Sequence, residues 1–208
     1  MENTDRRTEV LDHARHVIMR DGLSTTSLRR ISREGGYTTG VLSYYFADKR
    51  ELIAACFEWT HHAWLDAVEE ELAKATTAEE NLCTYVTLAI PRDPERQLEW
   101  RLWLEFCNAS VGDEELADLL RRADGRWQDI TARAFAAWEA AGLVGRSDSI
   151  DEPAATLVHL ADGMGLWAIL SGDWDAARAR YVAVLRTLGV PDELADRALH
   201  PLPARGGD

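Results

Sequence analysis

The side chains best suited to chemistry are concentrated in one short stretch, residues 27–52, which is rich in hydroxyl, aromatic and cationic groups. Its sequence is SLRRISREGGYTTGVLSYYFADKREL. Ser27 is a favourable N-cap for a short helix, and Gly35-Gly36 can adopt the positive φ values that a sharp turn needs. Thr38 predicts the start of a second short helix. The stretch is therefore predicted to form two short helices joined by a tight turn.

The second of these helices has two different faces. Advancing by ~100° per residue, Val41, Leu42 and Tyr45 fall on one narrow apolar stripe, which predicts a buried side. The opposite side is small, hydroxylated and aromatic, and consists of Thr39, Gly40, Ser43 and Tyr44. A short helix with such a face is shaped to enter a groove. The layout is typical of a helix-turn-helix, whose second helix lies in the DNA major groove.

The residue types in this stretch suit specific DNA contacts. Thr39 and Ser43 are short enough to reach base edges, and Gly40 removes a Cβ so that the helix can approach closely. Thr38 and Lys49 suit phosphate oxygens. The predicted DNA-binding residues are Ser27, Arg29, Arg30, Thr38, Thr39, Gly40, Ser43, Tyr44 and Lys49. The alternative is an ordinary solvated face with DNA contact elsewhere.

The segment TTGVLSYYFADKRELI, with Y-F-x-x-K at Tyr45, Phe46 and Lys49, resembles the N-terminal domain of TetR-family transcriptional regulators. Ser43 after T-G-x-L is more like the choline-responsive betaine-pathway repressors of that family. The stretches RLWLEFCNAS (101–110) and HLADGMGLWAILSG (159–172) also resemble that subgroup. The resemblance implies a homodimeric repressor that binds a palindromic operator and is released by a small-molecule effector.

The net charge of −13 does not by itself suggest a nucleic-acid partner. The charge is unevenly distributed, however. Residues 1–50 contain 9 Lys and Arg against 7 Asp and Glu, whereas the rest of the chain contains 14 against 29. An acidic body behind a mildly basic tip would repel DNA except at the tip, which limits non-specific binding.

Gly and Pro residues divide the chain into helical segments, with few alternating β-branched runs. We expect an all-α protein of about nine helices, with a weak helical turn at 192–199. The predicted organisation is a three-helix helix-turn-helix domain (1–47), a larger helical effector-binding and dimerisation domain (48–200) and a disordered tail (201–208). A long helix beginning at Asp48 would belong to both domains and link them mechanically.

All eight tryptophans lie outside the first fifty residues. By the resemblance, several lie on helices around an effector cavity, where aromatic walls suit a flat hydrophobic ligand or an organic cation. Glu58, Glu99, Glu105 or Asp162 could balance such a cation. The predicted effector-binding residues are Phe57, His61, Trp64, Trp100, Trp103, Leu104, Cys107, Trp127, Thr131, Met164 and Trp167. The alternative is that these aromatics are core and the acids face solvent.

The helical pair at 153–188 is the predicted dimer interface, because its small and apolar residues allow helices to approach closely. The residues assigned to it are Ala154, Leu157, Val158, Ala161, Gly165, Val182 and Leu185. The alternative, a pair packed only within a monomer, is weaker because a seven-residue recognition helix needs a second half-site for affinity.

Several classes of function are disfavoured. The chain lacks the common hydrolase, zinc-protease, P-loop and dinucleotide motifs, so we expect neither an enzyme nor a cofactor. His61 and His62 are adjacent on a helix and point ~100° apart, which disfavours a metal site. No signal-peptide pattern or long apolar span is evident, and we expect a cytoplasmic protein with no membrane contact. An all-α enzyme and a ligand-independent architectural DNA-binding protein remain the alternatives.

Overall fold

The computed structural model describes the backbone of residues 2–200 and the side chains of 6–38 and 40–200, and all the regular structure in that range is helical. The helices are α1 (Glu2–Asp21), α2 (Leu28–Gly35), α3 (Thr39–Tyr45), α4 (Lys49–Ala73), α5 (Ala78–Ala89), α6 (Pro94–Ser110), α7 (Glu114–Ala140), α8 (Asp151–Ser171), α9 (Trp174–Thr187) and α10 (Asp192–Ala198). The all-α prediction is confirmed. The weak turn predicted at 192–199 is a short helix, and the predicted disorder of 201–208 lies outside the described residues.

The chain forms two compact units. Unit 1 contains the residues up to Trp64 together with Leu98–Ala123, and unit 2 contains Leu65–Gln97 together with the residues from Asp124 onward. Helices α4, α6 and α7 therefore each contribute to both units. The division at residue 47 between a DNA-binding domain and an effector-binding domain stays a prediction.

The core of unit 1 holds the three N-terminal helices together. On α1, Leu11 and Ile18 lie on one face because they are seven residues, or about two turns, apart, and both are buried. They belong to one cluster with Ile31 of α2 and Leu42 of α3. Helix α3 has only seven residues and cannot be stable alone. Its position is therefore set by burial of its apolar side against α1 and α2.

The turn between α2 and α3 requires both of its glycines. Gly36 adopts a φ of 68°, the left-handed region that side chains disfavour. A Cβ on Gly35 would lie 2.3 Å from the ring of Tyr37, which packs against it. At the other end of α2, the Ser27 hydroxyl accepts a hydrogen bond from the Arg30 N–H, as expected for an N-cap. The predicted helix-turn-helix geometry is thus present.

The turn between α1 and α2 is held by charged side chains from other helices. The Leu23 N–H donates to a Glu105 carboxylate oxygen of α6 at 3.0 Å, and the Leu23 carbonyl accepts from Lys49 Nζ of α4 at 2.7 Å. We call this arrangement the Leu23 clamp. A further ion pair joins Arg15 of α1 to Glu99 of α6 at 3.3 Å. The first two helices are therefore fastened to α4 and α6 by polar contacts as well as by the core.

Unit 2 is built around the packing of α8 on α9, with α5 and α10 against α9. Its centre contains three aromatic side chains that are fully buried, those of Tyr85, Trp138 and Tyr181. The hydroxyl of Tyr181 donates to the Leu157 carbonyl at 3.2 Å and lies 3.3 Å from the Tyr85 hydroxyl. The polar tips of the buried rings are thus satisfied, as burial demands.

Helix α8 is the one helix among the described residues that is long and apolar enough to cross a bilayer, judged by length and composition alone. Its most apolar window has a mean hydropathy of 1.3. The same composition suits a core helix, and one face of α8, including Leu157, Val158 and Ala161, is buried against the rest of the chain. It also carries Asp162 near its middle. Packing within unit 2 accounts for the apolar character of that face.

Candidate nucleic-acid interface and ligand-binding residues

Helix α3 presents one buried side and one exposed side. Leu42 is fully buried, whereas Gly40, Ser43 and Tyr44 are exposed. Tyr44 has 73% of its surface accessible, which is unusual for a large aromatic side chain. Thr38 occupies the N-cap position, but its hydroxyl makes no capping hydrogen bond and is therefore available to another partner. The predicted faces of α3 are present among its described side chains.

The predicted DNA-binding residues Thr39 and Ser27 differ from the exposed side chains of α3. Thr39 is the first residue of α3, but its side chain lies outside the described ones, so its contact with DNA stays a prediction. Ser27 is exposed, and its hydroxyl is already used as the cap of α2. Its assigned role is therefore partly structural.

Gly40 has no structural reason to be glycine. It lies in α3, where glycine costs about 1 kcal/mol relative to alanine. A Cβ placed there would meet only the Thr38 hydroxyl, at an ordinary contact distance of 3.8 Å. Since the chain itself does not need the missing Cβ, the space it leaves is free for an external partner that approaches the helix closely.

Two of the predicted DNA-binding cations have partners within the chain. Lys49 is half-buried and donates one of its three N–H groups to the Leu23 carbonyl, so it holds a turn, and its phosphate contact stays a prediction. Arg30 donates to Asp21 at 2.8 Å and to Glu34 at 3.0 Å. Hydrogen bonds from Arg20 are the largest cause of the lowered pKa of both carboxyls. The sequence did not predict these pairings. The Arg30–Asp21 pair joins two different helices, and the Arg30–Glu34 pair depends on which rotamer each side chain adopts.

Arg29 differs from Arg30. It is exposed, and it forms no ion pair with any residue in the described part of the chain. It therefore remains available to a phosphate, as the sequence predicted.

The predicted effector-binding residues of unit 1 form a group of aromatic contacts. Phe57 is buried, and its ring stacks on that of Phe106 with centroids 3.6 Å apart. The His61 ring also stacks on the Phe57 ring, with centroids 5.0 Å apart, and its centroid lies 5.2 Å from that of the Trp64 ring. The remaining members are the partly buried Trp100, Trp103, Leu104 and Cys107 of α6, and the two tryptophan rings meet edge to face at 5.2 Å. Phe106 was not predicted, although its position between Trp103 and Cys107 follows the same helical spacing.

The predicted effector-binding residues of unit 2 form a second group. Trp127 is buried and stacks on Tyr85, with ring centroids 5.4 Å apart. Thr131 is fully buried, donates to the Trp127 carbonyl at 2.9 Å and lies 3.1 Å from the Tyr85 hydroxyl. Its hydroxyl is thus already occupied in the fold. Tyr85 and Tyr181 were missed, because single aromatic residues on a helix look like ordinary core.

Asp162 is the exceptional carboxylate of unit 2. Burial, reinforced by the nearby Asp124 carboxylate, raises its pKa to about 7. It accepts no hydrogen bond from any residue of the described range, whereas Asp124 accepts from Gln128 at 2.7 Å and lies 3.7 Å from His159. Burial is the main cause that raises the pKa of Tyr85 to about 12, and the charge of Asp162 adds a smaller effect in the same direction. A poorly solvated carboxylate therefore lies near enough to Tyr85 for its charge to act on that hydroxyl.

The other three acids predicted to balance a cation, Glu58, Glu99 and Glu105, are less suited to that role than Asp162. Glu99 pairs with Arg15, and Glu105 accepts from the Leu23 N–H. Glu58 is exposed to water. Asp162 is thus the carboxylate that still lacks a partner.

Comparison with known proteins agrees with this geometry. The family model for bacterial regulatory proteins of the tetR family matches residues 10–56, and the model for the C-terminal part of BetI-type transcriptional repressors matches residues 78–188, just over half of the chain. The chain belongs to the TetR family. The resemblance found in the α2–α3 motif and in the C-terminal half is confirmed.

Individual relatives of this TetR-family chain are distant but cover most of it. The regulator BetI of Cronobacter sakazakii is 28% identical over 203 residues, which is 94% of each chain. The regulator PksA of Bacillus subtilis is 22% identical over 82% of each chain. A crystal structure of a putative transcriptional regulator from Saccharomonospora viridis in complex with choline superposes with a TM-score of 0.80, at 24% identity, over 88% of this chain and 96% of that one. This last likeness shows a shared fold.

The family settles the class of function. These TetR-family matches are transcriptional regulators, so the chain is a ligand-responsive DNA-binding regulator and not an enzyme. Helices α2 and α3 lie within the segment that the N-terminal model matches. Both aromatic groups extend into the C-terminal match.

The structure corrects the residues assigned to the dimer interface. All seven (Ala154, Leu157, Val158, Ala161, Gly165, Val182 and Leu185) are buried within the chain, where they join α8 and α9 to their neighbours. They offer no side-chain surface to a second copy. The exposed side of α8 is different and includes Leu166, Trp167 and Leu170, at 37%, 56% and 68% exposure.

The same observation corrects the predicted role of Trp167 as an effector-binding residue. It lies on the outer stripe of α8 with Leu170, three positions away, and not among buried rings. Met164 is partly buried and remains compatible with ligand contact.

Gly40→Ala is expected to change stability and DNA binding in opposite directions. Alanine has the higher helix propensity, so the free energy of unfolding should rise by up to about 1 kcal/mol. The added methyl group should keep α3 from approaching the groove and weaken DNA binding by about tenfold, equivalent to ~1.4 kcal/mol. Chemical denaturation and fluorescence anisotropy with labelled DNA measure the two effects. Unchanged DNA affinity would show that α3 does not approach DNA at Gly40.

Proposed function

We propose that the chain is a cytoplasmic, homodimeric repressor that binds a palindromic operator through α3 and is released when an organic cation binds. The observation that supports this best is the exposed side of α3, where Ser43 and Tyr44 surround a glycine that the fold does not require. A hydroxyl, an aromatic ring and a gap for close approach are the features that a major-groove surface needs.

The operator should be palindromic because each chain presents one short recognition helix. Helix α3 has seven residues, enough to contact only a few base pairs. Two copies related by a two-fold axis would place their α3 helices in successive major grooves, about 34 Å apart. Any effector-induced change in that separation would release the DNA. A coupling of ~1–3 kcal/mol weakens DNA binding about 5- to 150-fold.

The paired replacement Ser43→Ala with Tyr44→Ala is expected to abolish a gel shift with DNA from upstream of the protein's own gene. Both side chains are exposed, so the variant should fold and melt as the wild type does. Each lost base contact should cost ~1–3 kcal/mol in each half-site. An unaltered shift in the double variant would reject α3 as the reading surface.

Dimerisation is proposed to use the outer side of α8 and the adjacent α9. Leu166 and Leu170 are exposed on α8, and Ala179 and Ala183 are exposed on α9, which packs against it. Large apolar residues on one helix and small residues on the next form a surface on which a second helical pair can pack closely. The seven buried residues predicted earlier would support this surface from behind.

Leu166→Glu with Leu170→Glu is expected to convert the dimer into a folded monomer. Four carboxylates would face one another across the two-fold axis, where like charges repel and lose their hydration. Sedimentation equilibrium measures the outcome, with Val111→Glu as a matched control because Val111 is 84% exposed and lies outside unit 2. A double variant that remains dimeric would place the interface elsewhere.

The proposed effector is an organic cation such as choline or a polyamine. Asp162 supplies a carboxylate that accepts no hydrogen bond within the described range and whose charge acts on Tyr85, the ring that stacks on Trp127. Aromatic faces attract cations, and the quaternary ammonium group of choline has no N–H donors that would require hydrogen-bond acceptors. The choline complex of the Saccharomonospora viridis regulator, which shares the fold, supports the same class of ligand. A neutral lipophilic effector is the alternative that the aromatic groups also permit.

The charge on Asp162 makes cation binding dependent on pH. A cation favours the ionised carboxylate, so it must displace a proton wherever Asp162 is protonated, below about pH 7. The groups that share its surroundings are Asp124, His159, Tyr85 and Tyr181. Choline carries a fixed charge, so the pH dependence would arise in the protein.

Asp162→Asn is therefore expected to weaken choline binding by about tenfold or more and to remove its pH dependence. In the wild type, affinity should rise by up to about tenfold per pH unit below pH 7 and level off above it. The raised pKa of Asp162 means that folding favours the neutral carboxyl, so wild-type stability falls as pH rises toward 7. The Asp162→Asn variant should therefore melt at a higher temperature than the wild type at pH 8.

Isothermal titration calorimetry at several pH values tests this, with Glu58→Gln as the control because that carboxylate is exposed. Equal choline affinity of wild type and Asp162→Asn at pH 8 would remove Asp162 from the site. Tight binding of a neutral lipophile, with no binding of any cation, would replace the proposed effector class.

A further inference from the structure

We propose that the first turns of α1 form a second DNA-contacting element, in which Arg6 and Arg7 bind phosphates on either side of the groove that α3 enters. The proposal rests on the DNA-reading role proposed for α3. The Arg6 guanidinium carbon lies 4.9 Å from the centre of the Tyr37 ring, and that of Arg7 lies 5.4 Å from the centre of the Phe46 ring.

These two rings mark the ends of α3. Tyr37 directly precedes the N-cap Thr38, and Phe46 is the C-cap residue. A helix of seven residues is about 10 Å long. Consecutive residues of α1 therefore carry one cation to each end of the recognition helix. Phosphates border the major groove, which is ~12 Å wide, so cations at the two ends of α3 are placed to meet them.

The pairing of the other cations makes this placement informative. Residues 1–50 contain nine Lys and Arg. Five of them are engaged in the fold: Arg15, Arg20 and Arg30 by carboxylates, Lys49 by the Leu23 carbonyl, and Arg50 by Asp113 and Glu115. Hydrogen bonding to Arg50 is the main cause that lowers the pKa of Asp113 to about 2, so that pair persists at physiological pH. Each of these five cations would have to break or share a contact with a partly buried partner before it could bind DNA.

The remaining four are Arg6, Arg7, Arg29 and Arg33. Within the described part of the chain, Arg7, Arg29 and Arg33 form no ion pair. Arg6 pairs with Glu9 at 2.8 Å, but both side chains are about half exposed. An exposed pair of this kind contributes little stability, so a phosphate can displace the glutamate. Arg6 and Arg7 thus make up half of the positive charge that the N-terminal region can offer.

Contact with an aromatic ring prepares an arginine for phosphate binding. The guanidinium uses its flat face on the ring, and its N–H edge stays free for two parallel hydrogen bonds to a phosphate. The ring also restricts the side chain before DNA arrives, which lowers the entropy lost on binding. Residues 6 and 7 precede the segment 10–56 that the family model matches.

The test compares charge removal with charge retention. Arg6→Gln with Arg7→Gln removes both charges but keeps much of each aliphatic stem, and Arg6→Lys with Arg7→Lys keeps both charges. Fluorescence anisotropy over a range of KCl concentrations is measured on two duplexes, one carrying the region upstream of the protein's own gene and one of scrambled sequence. The control is Arg121→Gln, which removes an exposed cation that is paired with Glu114 and Asp118 on α7.

The glutamine variant is expected to lower the slope of log affinity against log salt by about 1 for each arginine in each half-site, on both duplexes. The lysine variant should keep nearly the wild-type slope, and the control should not change it. A wild-type slope in the glutamine variant, whether or not its melting temperature falls, would show that these arginines only pack on the rings. That result would overturn this proposal and leave the role of α3 intact.

Failure of the wild type to bind either duplex would instead overturn the DNA-reading role of α3 and this proposal together. If the double glutamine variant does not fold, the single variants Arg6→Gln and Arg7→Gln are compared with Arg6→Lys and Arg7→Lys under the same criteria.

Discussion

The clamp on the backbone of Leu23 fixes the turn between α1 and α2, the two helices against which the proposed DNA-reading helix α3 packs. A carboxylate from α6 accepts its N–H and an ammonium group from α4 donates to its carbonyl, so one peptide segment is fixed from two helices. Charge-assisted hydrogen bonds of this kind contribute about 1.5–3 kcal/mol each. Helix α3 cannot hold its own shape at seven residues, so its orientation follows from α1, α2 and the turn between them. A displacement at Leu23 would therefore be a displacement of α3.

Helix α6 connects this clamp to the aromatic group of unit 1. Glu99 and Glu105 hold α1 and the following turn, while Trp103 and Phe106, on the same helix, belong to the aromatic contacts around Phe57. Any displacement of α6 would disturb these rings and the Leu23 clamp together, since a rigid helix passes a shift to all of its side chains. Polar bonds have sharp distance limits, so a shift of about 1 Å is enough to break them. The aromatic contacts around Phe57 and the position of the turn before α2 are therefore linked through one helix of one compact unit.

The residues show which conclusions a sequence can support. The glycine pair at 35–36, the Ser27 cap and the stripe containing Leu42 are local signals, and they predicted α2, the turn and the two sides of α3 correctly. Lys49 and Arg30 were predicted to bind DNA because residue type shows charge but not the partner that the side chain has within the fold. The apolar stripe of α8 was assigned to a second copy, although Leu157 and Ala161 face their own chain. Helical periodicity identifies an apolar stripe, but it does not say which surface covers it.

The distribution of charge explains how an acidic protein can be a selective DNA-binding protein. Arg15, Arg20, Arg30 and Arg50 of the N-terminal region are paired with carboxylates, and the rest of the chain has an excess of 15 negative charges. Non-specific affinity depends on the number of phosphates neutralised, so a protein with few available cations binds random DNA weakly. In the proposed dimer, binding would come from the fit of α3 in its groove and from the joining of two half-sites. Such a regulator would lose little protein to random sites, and a small change in the spacing of its two copies would remove it from its operator.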